Sequence, residues 1–378
     1  RDEYIMGRLE LNGHVDVQVF SGGSWINGTN APTNGNFTTG LGTTNDIARG
    51  FDVAYENESG EGMVVYESSS SGDGLLKYRT WDGDSWSSED SIDYSAVDEG
   101  NAVAVWVECE ADPGSNYIMC AWREATNLGL YAAVWDGTQW LNIAQIASEN
   151  GTAARQDFDV AWEGTSGDGM IVFGDATGAP FIDAWTYTKG SGWADTSSMT
   201  DPGAAVQWVR IAGSPINDYI VVMIGDTLST TSADLNVDMW NGSNWTTANQ
   251  PGTMDIDINN NGYAQGFDVA WEQATGDRAL FVFRDGTTSE TLIRYMVYDI
   301  SANQFQAIED GTHCALTEGA AGYAETITNL SAVEDSAGPC TATFALADSF
   351  SGIDLNPDPG SNKIMVLAED LTADLVPE

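Results

Sequence analysis

Three similar heptapeptides each carry an aspartate and a glutamate four residues apart, and paired carboxylates are groups that acid–base and metal chemistry use. They are GFDVAYE (50–56), DFDVAWE (157–163) and GFDVAWE (266–272). Their carboxylates are Asp52 with Glu56, Asp159 with Glu163, and Asp268 with Glu272. The pairs admit three interpretations: three active sites, three metal sites, or one architectural unit that is repeated along the chain.

The repetition itself favours architecture. A glycosidase needs two carboxyl groups in distinct environments, one kept protonated and one ionised. Three near-identical pairs offer no such asymmetry. In a strand, the Asp, Ala and Glu of FDVAWE share one face, so we interpret each Asp as a clasp between repeats, held by an arginine or by backbone N–H groups.

A second motif recurs between these strands: an aromatic residue, a short turn rich in Gly, Asp, Asn and Ser, and another aromatic residue. Such segments are typical of tight β-hairpins. They begin at residues 20, 81, 135, 187, 240 and 298, so their spacing is 52 to 61 residues. A repeat of this length with several short strands predicts a β-propeller.

Four strands fill each repeat. In one repeat we predict them at 51–56, 61–67 and 75–81, with the fourth beginning at Trp86. No segment has a convincing 3.6-residue apolar period, so very little helix is expected. The predicted fold class is all-β, a β-propeller of four-stranded antiparallel blades.

The two ends of the chain predict how the ring closes. Residues 4–25 resemble residues 117–140 and would supply three strands of a blade. The segment 363–370, or the one just before it, would supply the fourth, so that N- and C-terminal strands close the ring. We expect a single propeller over 1–378 with seven blades; the alternative is six blades with a disulfide-held insertion or irregular blade at 309–340.

Charge restricts the partners. The chain has 57 acidic and 13 basic residues, for a formal net charge of −44. Nucleic acids and anionic membranes need Lys and Arg, so neither is expected as a partner. No apolar run reaches the ~18 residues that span a bilayer. The self-repulsion must be screened by salt, neutralised by cations or suppressed by low pH.

The cysteines predict two disulfides, Cys109 with Cys120 across a hairpin turn and Cys314 with Cys340 around a loop of about 25 residues. They favour a secreted protein in an oxidising compartment at the cell surface. The chain begins at Arg1, which predicts a removed leader or a trimmed chain. Seven N-x-S/T sequons agree with export and start at Asn27, Asn36, Asn57, Asn150, Asn241, Asn244 and Asn329.

One segment before the last heptapeptide resembles a calcium loop. DIDINNNGYAQGFD (255–268) places oxygen-bearing side chains at alternate positions around a glycine, close to D-x-[DN]-x-[DN]-G. The candidate Ca²⁺ ligands are Asp257, Asn259, Asn261, Gln265 and Asp268. Clusters of Asn, Asp and Gly are also ordinary turn formers, so an unliganded turn is the alternative.

Signals for other chemistry are missing. The two histidines, His14 and His313, lie near no nucleophile motif. The sequence lacks G-x-S-x-G, H-E-x-x-H, a P-loop and a Rossmann glycine pattern. We therefore interpret the chain as non-enzymatic, and a glycoside hydrolase or lyase is the least favoured class.

The segment TWDGDSW (80–86) resembles the Asp-box hairpin of sialidase-like propellers, S/T-x-D-(x)-G-x-T-W. In that family the box is a structural turn remote from the active site, so the resemblance implies propeller topology rather than sialidase activity. Other repeats depart from it: FSGGSW (20–25) lacks the Asp and WNGSNW (240–245) has Asn. The family's Arg-Ile-Pro signature and a clear Tyr/Glu/Asp catalytic set are absent.

Tryptophans that follow the hairpin turns have two interpretations. They seal the edges of blades as amphipathic anchors, or they stack on sugar rings, as similar residues do in propeller lectins. The sugar-stacking candidates are Trp86, Trp140, Trp193 and Trp245.

Two function classes follow. The first is a structural, self-assembling subunit of an extracellular filament or layer, whose partner is itself. Its terminal strands would add to a neighbour's sheet, and Ca²⁺ or other cations would bridge the acidic surfaces. The second is a lectin-like propeller whose partner is a surface glycan.

Overall fold

The structure is a computed structural model that describes sixteen stretches of the chain. These are residues 3–9, 14–32, 37, 49–67, 75–97, 103–148, 155–175, 178–196, 198–226, 234–246, 253–255, 265–285, 292–305, 325–326, 350–358 and 361–370. Every regular element in these stretches is a β-strand. They contain no helix long and apolar enough to cross a membrane.

Five antiparallel sheets follow one another along the middle of the chain, and each has a four-stranded up-and-down path. We number the sheets in chain order. Sheet 2 contains β4 (Phe51–Tyr55), β5 (Gly62–Glu67), β6 (Leu75–Trp81) and β7 (Asp90–Asp93). Sheet 3 contains β8 (Ala104–Ala111), β9 (Ile118–Glu124), β10 (Leu130–Trp135) and β11 (Trp140–Ala147). Sheet 4 contains β12 (Phe158–Trp162), β13 (Gly169–Gly174), β14 (Ile182–Thr188) and β15 (Gly192–Asp195).

The last two of these five sheets carry one extra short strand each. Sheet 5 contains β16 (Val206–Gly213), β17 (Tyr219–Asp226), β18 (Leu235–Asn241), β19 (Trp245–Thr246) and β20 (Thr253–Asp255). Sheet 6 contains β21 (Phe267–Trp271), β22 (Arg278–Asp285), β23 (Leu292–Asp299), β24 (Gln304–Phe305) and β25 (Glu325–Thr326). The extra strands, β20 and β25, pair with the third strands, β18 and β23.

The terminal sheets have fewer strands within the described residues. Sheet 1 contains β1 (Glu3–Leu9), β2 (Val15–Ser21) and β3 (Ser24–Ile26), in that order. Sheet 7 contains β26 (Phe350–Pro357) and β27 (Ile364–Asp370). The predicted all-β fold of repeated four-stranded antiparallel sheets is confirmed, whereas the number of blades and the closure of a ring stay predictions.

The turn from the first to the second strand has a sequence reason that recurs in three sheets. A glycine four residues after the glutamate adopts a positive φ, at Gly60 (69°), Gly167 (67°) and Gly276 (59°). Residues with a Cβ rarely adopt this conformation. The same E-x-x-S/T-G sequence therefore ends each first strand and reverses the chain into the second.

Contacts between Cα atoms divide the chain into two compact units. The first comprises Arg1–Trp162, Gly167–Ile171 and Trp185–Asp195, and the second comprises Glu163–Ser166, Val172–Ala184 and Thr196–Glu378. Within the first unit, β4 packs on β8 and β8 packs on β12. Within the second, β16 packs on β21 and β21 packs on β26. Successive sheets of one unit thus meet through their first strands.

The hydrophobic core lies between neighbouring sheets. Val17 of sheet 1 packs with Tyr66 of sheet 2, and Leu76 of sheet 2 clusters with Trp122 of sheet 3. Sheets 6 and 7 share a third cluster, which contains Val282 and Val366. Burial on both faces explains why strands such as β5 (GMVVYE) and β13 (GMIVFG) are buried throughout, because a sheet covered on both sides has no solvated face.

A buried ion pair interrupts the apolar interior of the first unit. The Nε of Arg123 lies 2.8 Å from Oδ1 of Asp157, and both side chains are 0% exposed. A second guanidinium nitrogen donates to the carbonyl oxygen of Leu128 at 2.7 Å, and the guanidinium lies 5.8 Å from the ring centroid of Phe158. Burial lowers the pKa of Arg123, and Asp157 opposes this shift.

One prediction, the start of the fourth strand of sheet 2, needs correction, and another, the insertion at 309–340, falls almost entirely outside the described residues. The fourth strand of sheet 2 begins at Asp90, so the prediction that it begins at Trp86 was wrong. Trp86 instead turns inward, where its indole N–H donates to the carbonyl of Asn27 at 3.0 Å. Of the predicted insertion at 309–340, only residues 325–326 are described.

Candidate functional site

The first aspartate of the repeat joins two sheets of the first unit. Oδ2 of Asp52, on β4, accepts a 2.7 Å hydrogen bond from the backbone N–H of Cys109, on β8. The backbone N–H of Val107 donates to the carbonyl of Arg49 at 2.9 Å. The side chain of Asp52 therefore continues a line of backbone hydrogen bonds from one first strand to the next.

Asp268 makes the same contact in the second unit. Its Oδ2 accepts a 2.7 Å hydrogen bond from the N–H of Leu355. Its Oδ1 lies 3.9 Å from Nε of Arg210, and Arg210 also donates to Oε1 of Gln265 at 2.8 Å. Asp159 is buried, and its Oδ1 accepts a hydrogen bond from the N–H of the next residue at 2.8 Å.

Burial raises the pKa values of two of these aspartates. It raises the pKa of Asp52 well above its usual value, and the neighbouring carboxylate of Glu108 raises it further. It raises the pKa of Asp268 to about 7, although the Arg210 guanidinium favours the ionised form. The two sites differ because Asp268 has a nearby arginine, whereas the side chains that perturb Asp52 are acidic.

The glutamate of the repeat binds an indole from a neighbouring sheet. Oε1 of Glu56 accepts a 2.7 Å hydrogen bond from Nε1 of Trp135, and Oε2 accepts from the hydroxyl of Ser59 at 2.5 Å. Glu163 repeats this in the second unit, where it accepts from Nε1 of Trp240 and from the serine three residues further on. Both glutamates are buried, so their partners replace the water that they lose on folding.

Two further carboxylates, Glu272 and Asp112, make the same type of contact with different partners. Glu272 accepts from the hydroxyl of Thr275 at 3.0 Å and forms an ion pair with Arg278 at 2.6 Å. Asp112, directly after β8 of sheet 3, pairs with Nζ of Lys189 and accepts from the hydroxyl of Ser115, three residues further on. A cation takes the place of the indole at both positions.

The turns after the first strands are also tied to the following sheet of the same unit. A side-chain oxygen there accepts hydrogen bonds of 2.8 to 3.0 Å from turn N–H groups. The acceptors are Asn116 for Glu58 and Ser59, Asp218 for Thr165 and Ser166, and Asn362 for Thr275. We call these three contacts the turn ladder.

This arrangement does not support acid–base catalysis by the repeated carboxylates. A general base must reach the proton that it abstracts, and its oxygens must be accessible to a substrate. Glu56, Glu163 and Glu272 each use both oxygens in contacts within the fold. The carboxylates therefore position sheets and turns.

The hairpin turns between third and fourth strands use a second set of side chains. In sheets 2, 3, 5 and 6, one side-chain oxygen accepts hydrogen bonds from the N–H groups two and three residues ahead, which fixes the turn. These residues are Asp82, Asp136, Asn241 and Asp299. Asp82, in the segment that resembles an Asp-box, thus has a structural role in its turn.

The four tryptophans proposed for sugar stacking differ in exposure. Trp86 is 1% exposed and packs in the core between sheets 1 and 2, so no face of its ring is open to a sugar. Trp140, Trp193 and Trp245 are half-buried. The ring centroid of each lies within 5.2 to 5.6 Å of an aromatic ring at the other end of its hairpin turn.

Sequence analysis missed a more exposed set of aromatic side chains on sheet 1. Tyr4 of β1 is paired with Phe20 of β2, which is paired with Trp25 of β3. Ring centroids are 6.4 Å apart for the first pair and 5.2 Å apart for the second. Tyr4 is 64% exposed and Trp25 is 50% exposed. We call these three residues the aromatic row.

The alternation of side chains along β1 could have indicated the aromatic row. In EYIMGRL, Tyr4, Met6 and Arg8 occupy alternate positions and are exposed, while Ile5 and Gly7 between them are half-buried. The register then places Phe20 and Trp25 on the same face as Tyr4. The sequence alone did not show which strands lie beside β1.

The candidate calcium loop lies largely outside the described residues, which include Gln265 and Asp268 but not Asp257, Asn259 or Asn261. The two described side chains are hydrogen-bonded to Arg210 and to backbone N–H groups. No group of three His, Cys, Asp or Glu side chains that could hold a metal occurs in the part of the chain that the structure describes. Calcium binding stays a prediction.

One predicted disulfide is confirmed. Cys109 and Cys120 face each other in the register of β8 and β9, with Cα atoms 4.1 Å apart, and they are bonded. Cys314 and Cys340 lie outside the described residues, as does His313. His14 is half-buried just before β2.

Comparisons with known proteins do not assign a family. No family model and no curated protein matches the chain. A solved structure of the Aleuria aurantia lectin, described as a six-bladed β-propeller that recognises fucose, is 13% identical with a TM-score of 0.40, covering 80% of this chain and 89% of the lectin. The GH74 xyloglucanase from Xanthomonas campestris is 11% identical with a TM-score of 0.48, covering 97% of this chain and 52% of the enzyme. At these TM-scores the likenesses do not indicate a function.

Proposed function

We propose that the chain is a non-catalytic structural protein at the cell surface, which associates with further copies of itself through the exposed face of sheet 1 to build a filament or layer. The observation that carries this proposal is the aromatic row. Of the six exposed large hydrophobic side chains in the described residues, four belong to sheet 1. Three of them, Tyr4, Met6 and Trp25, share the face of the aromatic row, and the fourth, Ile26, lies on the other face. Clustered exposed apolar side chains mark interaction surfaces, and aromatic residues are enriched in them.

The net charge of the chain supports a second copy as the partner that binds the exposed face of sheet 1. Two copies of a chain with a net charge of −44 repel each other wherever their acidic surfaces meet. Tyr4, Phe20, Trp25 and Met6 carry no charge, so two copies that meet here bury apolar area without opposing carboxylates. Low pH, salt or divalent cations would weaken the remaining repulsion and favour assembly.

The internal contacts support a structural role. Sheets of one unit are joined by carboxylate clasps, by the turn ladder and by indole–carboxylate bonds. Three carboxylate pairs that first suggested catalysis are used within the fold. Carboxylates that are used to hold sheets together suit a structural protein better than a catalyst.

Sugar binding is the second candidate, and the same residues favour it. An exposed Trp and Tyr on one sheet face are also a platform on which a sugar ring stacks. A lectin would bind through Trp25 and Tyr4 as a single particle, with no need for a second copy.

Electron microscopy and analytical ultracentrifugation test the proposal. The wild-type protein is compared with Tyr4→Ser/Trp25→Ser at low and neutral pH, with Ca²⁺ and then with chelator. We expect ordered assemblies for the wild type and single particles for the double variant. Ile216→Ser is the matched control, because Ile216 is 51% exposed and lies outside sheet 1. Single wild-type particles under all conditions would contradict self-assembly, and glycan-array binding lost in the double variant would establish the lectin.

A further inference from the structure

The N-x-S/T sequons have no role in the fold described above, and the structure separates them. Four of the seven begin in described residues, at Asn27, Asn57, Asn241 and Asn244. N-glycosylation requires the side-chain Nδ2 of the asparagine and the hydroxyl of the residue two positions later. Whether the fold already uses these two groups distinguishes the four sites.

Asn57 has both groups in use. Its Nδ2 donates to the carbonyl of Pro113, in the turn after β8 of the next sheet. The hydroxyl of Ser59 donates to Oε2 of Glu56. A glycan on Asn57 would interrupt contacts that connect sheets 2 and 3.

Asn241 has both groups available. Its Oδ1 accepts hydrogen bonds from the N–H groups of Ser243 at 3.1 Å and Asn244 at 2.9 Å. These bonds fix the side chain through its oxygen, and within the described residues its Nδ2 donates to no protein group. Asn241 and Ser243 are both exposed. Gly242 between them has a φ of 86°, which keeps the turn tight and its side chains outside.

The two other sequons differ from each other. Thr246, which completes the sequon of Asn244, is half-buried and paired with Met239 in the sheet. Asn27 and Thr29 are both exposed, and the contact of Asn27 with the indole of Trp86 uses its backbone carbonyl, so this sequon meets the same criterion as Asn241.

We propose that Asn241 is an N-glycan acceptor, with a lipid-diphosphate-linked oligosaccharide as the donor class. In the transfer, Nδ2 of Asn241 forms a bond to the anomeric carbon of the sugar. The bond between that carbon and the diphosphate oxygen breaks, the lipid diphosphate leaves with the electron pair, and one amide proton passes to a base of the transferase. The glycan projects from the hairpin turn of sheet 5. The proposal shares with the proposed function only its requirement that the chain is exported.

The test is secretion of the full chain from a eukaryotic host, followed by peptide mass spectrometry of the folded protein. We expect a glycan on the Asn241 peptide in most molecules and an unmodified Asn57 peptide. Ser243→Ala, which leaves the asparagine and its turn bonds in place, should abolish the modification at Asn241 without changing the circular dichroism spectrum. Asn57→Gln is the matched control and should leave the glycan on Asn241 unchanged.

Two outcomes would overturn the proposal. One is an unmodified Asn241 in secreted, folded protein, and the other is occupancy at Asn57 equal to that at Asn241. Assembly of the same samples is read separately by electron microscopy, so an unmodified protein that still assembles contradicts the glycan site and leaves the proposed function standing.

Discussion

Glu56 and Trp135 are 79 positions apart in the chain, and a 2.7 Å hydrogen bond joins Oε1 of the first to Nε1 of the second. The glutamate directly follows the first strand of sheet 2, and the indole ends the third strand of sheet 3. Both side chains are buried. A carboxylate that a sequence reader would consider for catalysis thus holds one sheet to the next.

Removal of this carboxylate should destabilise the fold. In Glu56→Ala, the buried indole N–H of Trp135 and the hydroxyl of Ser59 lose an ionised acceptor, and we expect the free energy of unfolding to fall by about 2–3 kcal/mol. Glu56→Gln, which keeps an oxygen acceptor, should cost less. Guanidinium denaturation measures both. The neighbouring exposed Glu58 is the control, and Glu58→Ala should change stability by less than about 0.5 kcal/mol; equal effects at both positions would contradict the role of Glu56.

Stability should fall as the pH rises through the acidic and neutral range. Because burial raises the pKa of Asp268 to about 7, the folded state holds this proton at pH values where the unfolded chain has lost it. The stabilisation that Asp268 contributes is fully present below its pKa in the unfolded chain, about 4. It is lost as the pH rises to about 7. Thermal unfolding between pH 4 and 8 in high salt, which screens the surface charge, measures it.

Asp268→Asn should flatten that pH dependence, because it removes the titrating group and keeps an oxygen for the N–H of Leu355. The control is Asp277→Asn, at an exposed position of the same sheet, which should leave the slope unchanged. A slope that is the same in both variants would assign the effect to surface repulsion instead.

Removing one partner of the ion pair of Arg123 and Asp157 should destabilise the fold strongly, whereas replacing both residues by apolar ones should destabilise it much less. Asp157→Ala leaves a guanidinium buried without its counter-ion, for which we expect a loss of about 3–5 kcal/mol. Arg123→Met/Asp157→Leu removes both charges and should recover most of that loss. Denaturation of Arg123→Met, Asp157→Leu and the double variant gives the coupling energy, and additive losses would show that the pair does not act as a unit.

The Cys109–Cys120 bond should stabilise the hairpin of β8 and β9 by about 2–3 kcal/mol in the chain-entropy estimate. Cys109→Ala/Cys120→Ala removes this constraint without changing the other cysteines, so its midpoint of denaturation should be lower. An unchanged midpoint would mean that packing alone holds the hairpin.

Much of the fold followed from the sequence because strands and turns are local. The alternation in FDVAWE, the positive-φ glycines and the turns at Asp82 and Asp136 depend on residues close together in the chain, and these turns formed between the strands as expected. The start of β7 was missed because burial of Trp86 against Asn27, 59 residues away, overrides the local pattern.

The contacts of the candidate site were less predictable for the same reason. The sequence marked Asp268 and Glu163 as structural, but it gave no means of pairing them with Arg210 and Trp240, which lie on other strands. Such pairs depend on how sheets pack and not on periodicity within one strand. The aromatic row likewise emerges only when the register of β1, β2 and β3 is known.

The turn ladder has a consequence for biosynthesis. Each of the three turns of the ladder receives its acceptor from a residue synthesised 52 to 87 positions later, as with Ser166 and Asp218 or Thr275 and Asn362. A sheet that has just left the ribosome therefore lacks these hydrogen bonds until the first strand of the next sheet and the turn after it have followed. Folding within each unit would proceed vectorially, one repeat behind synthesis, and a nascent chain that stalls would leave its newest sheet open to proteases.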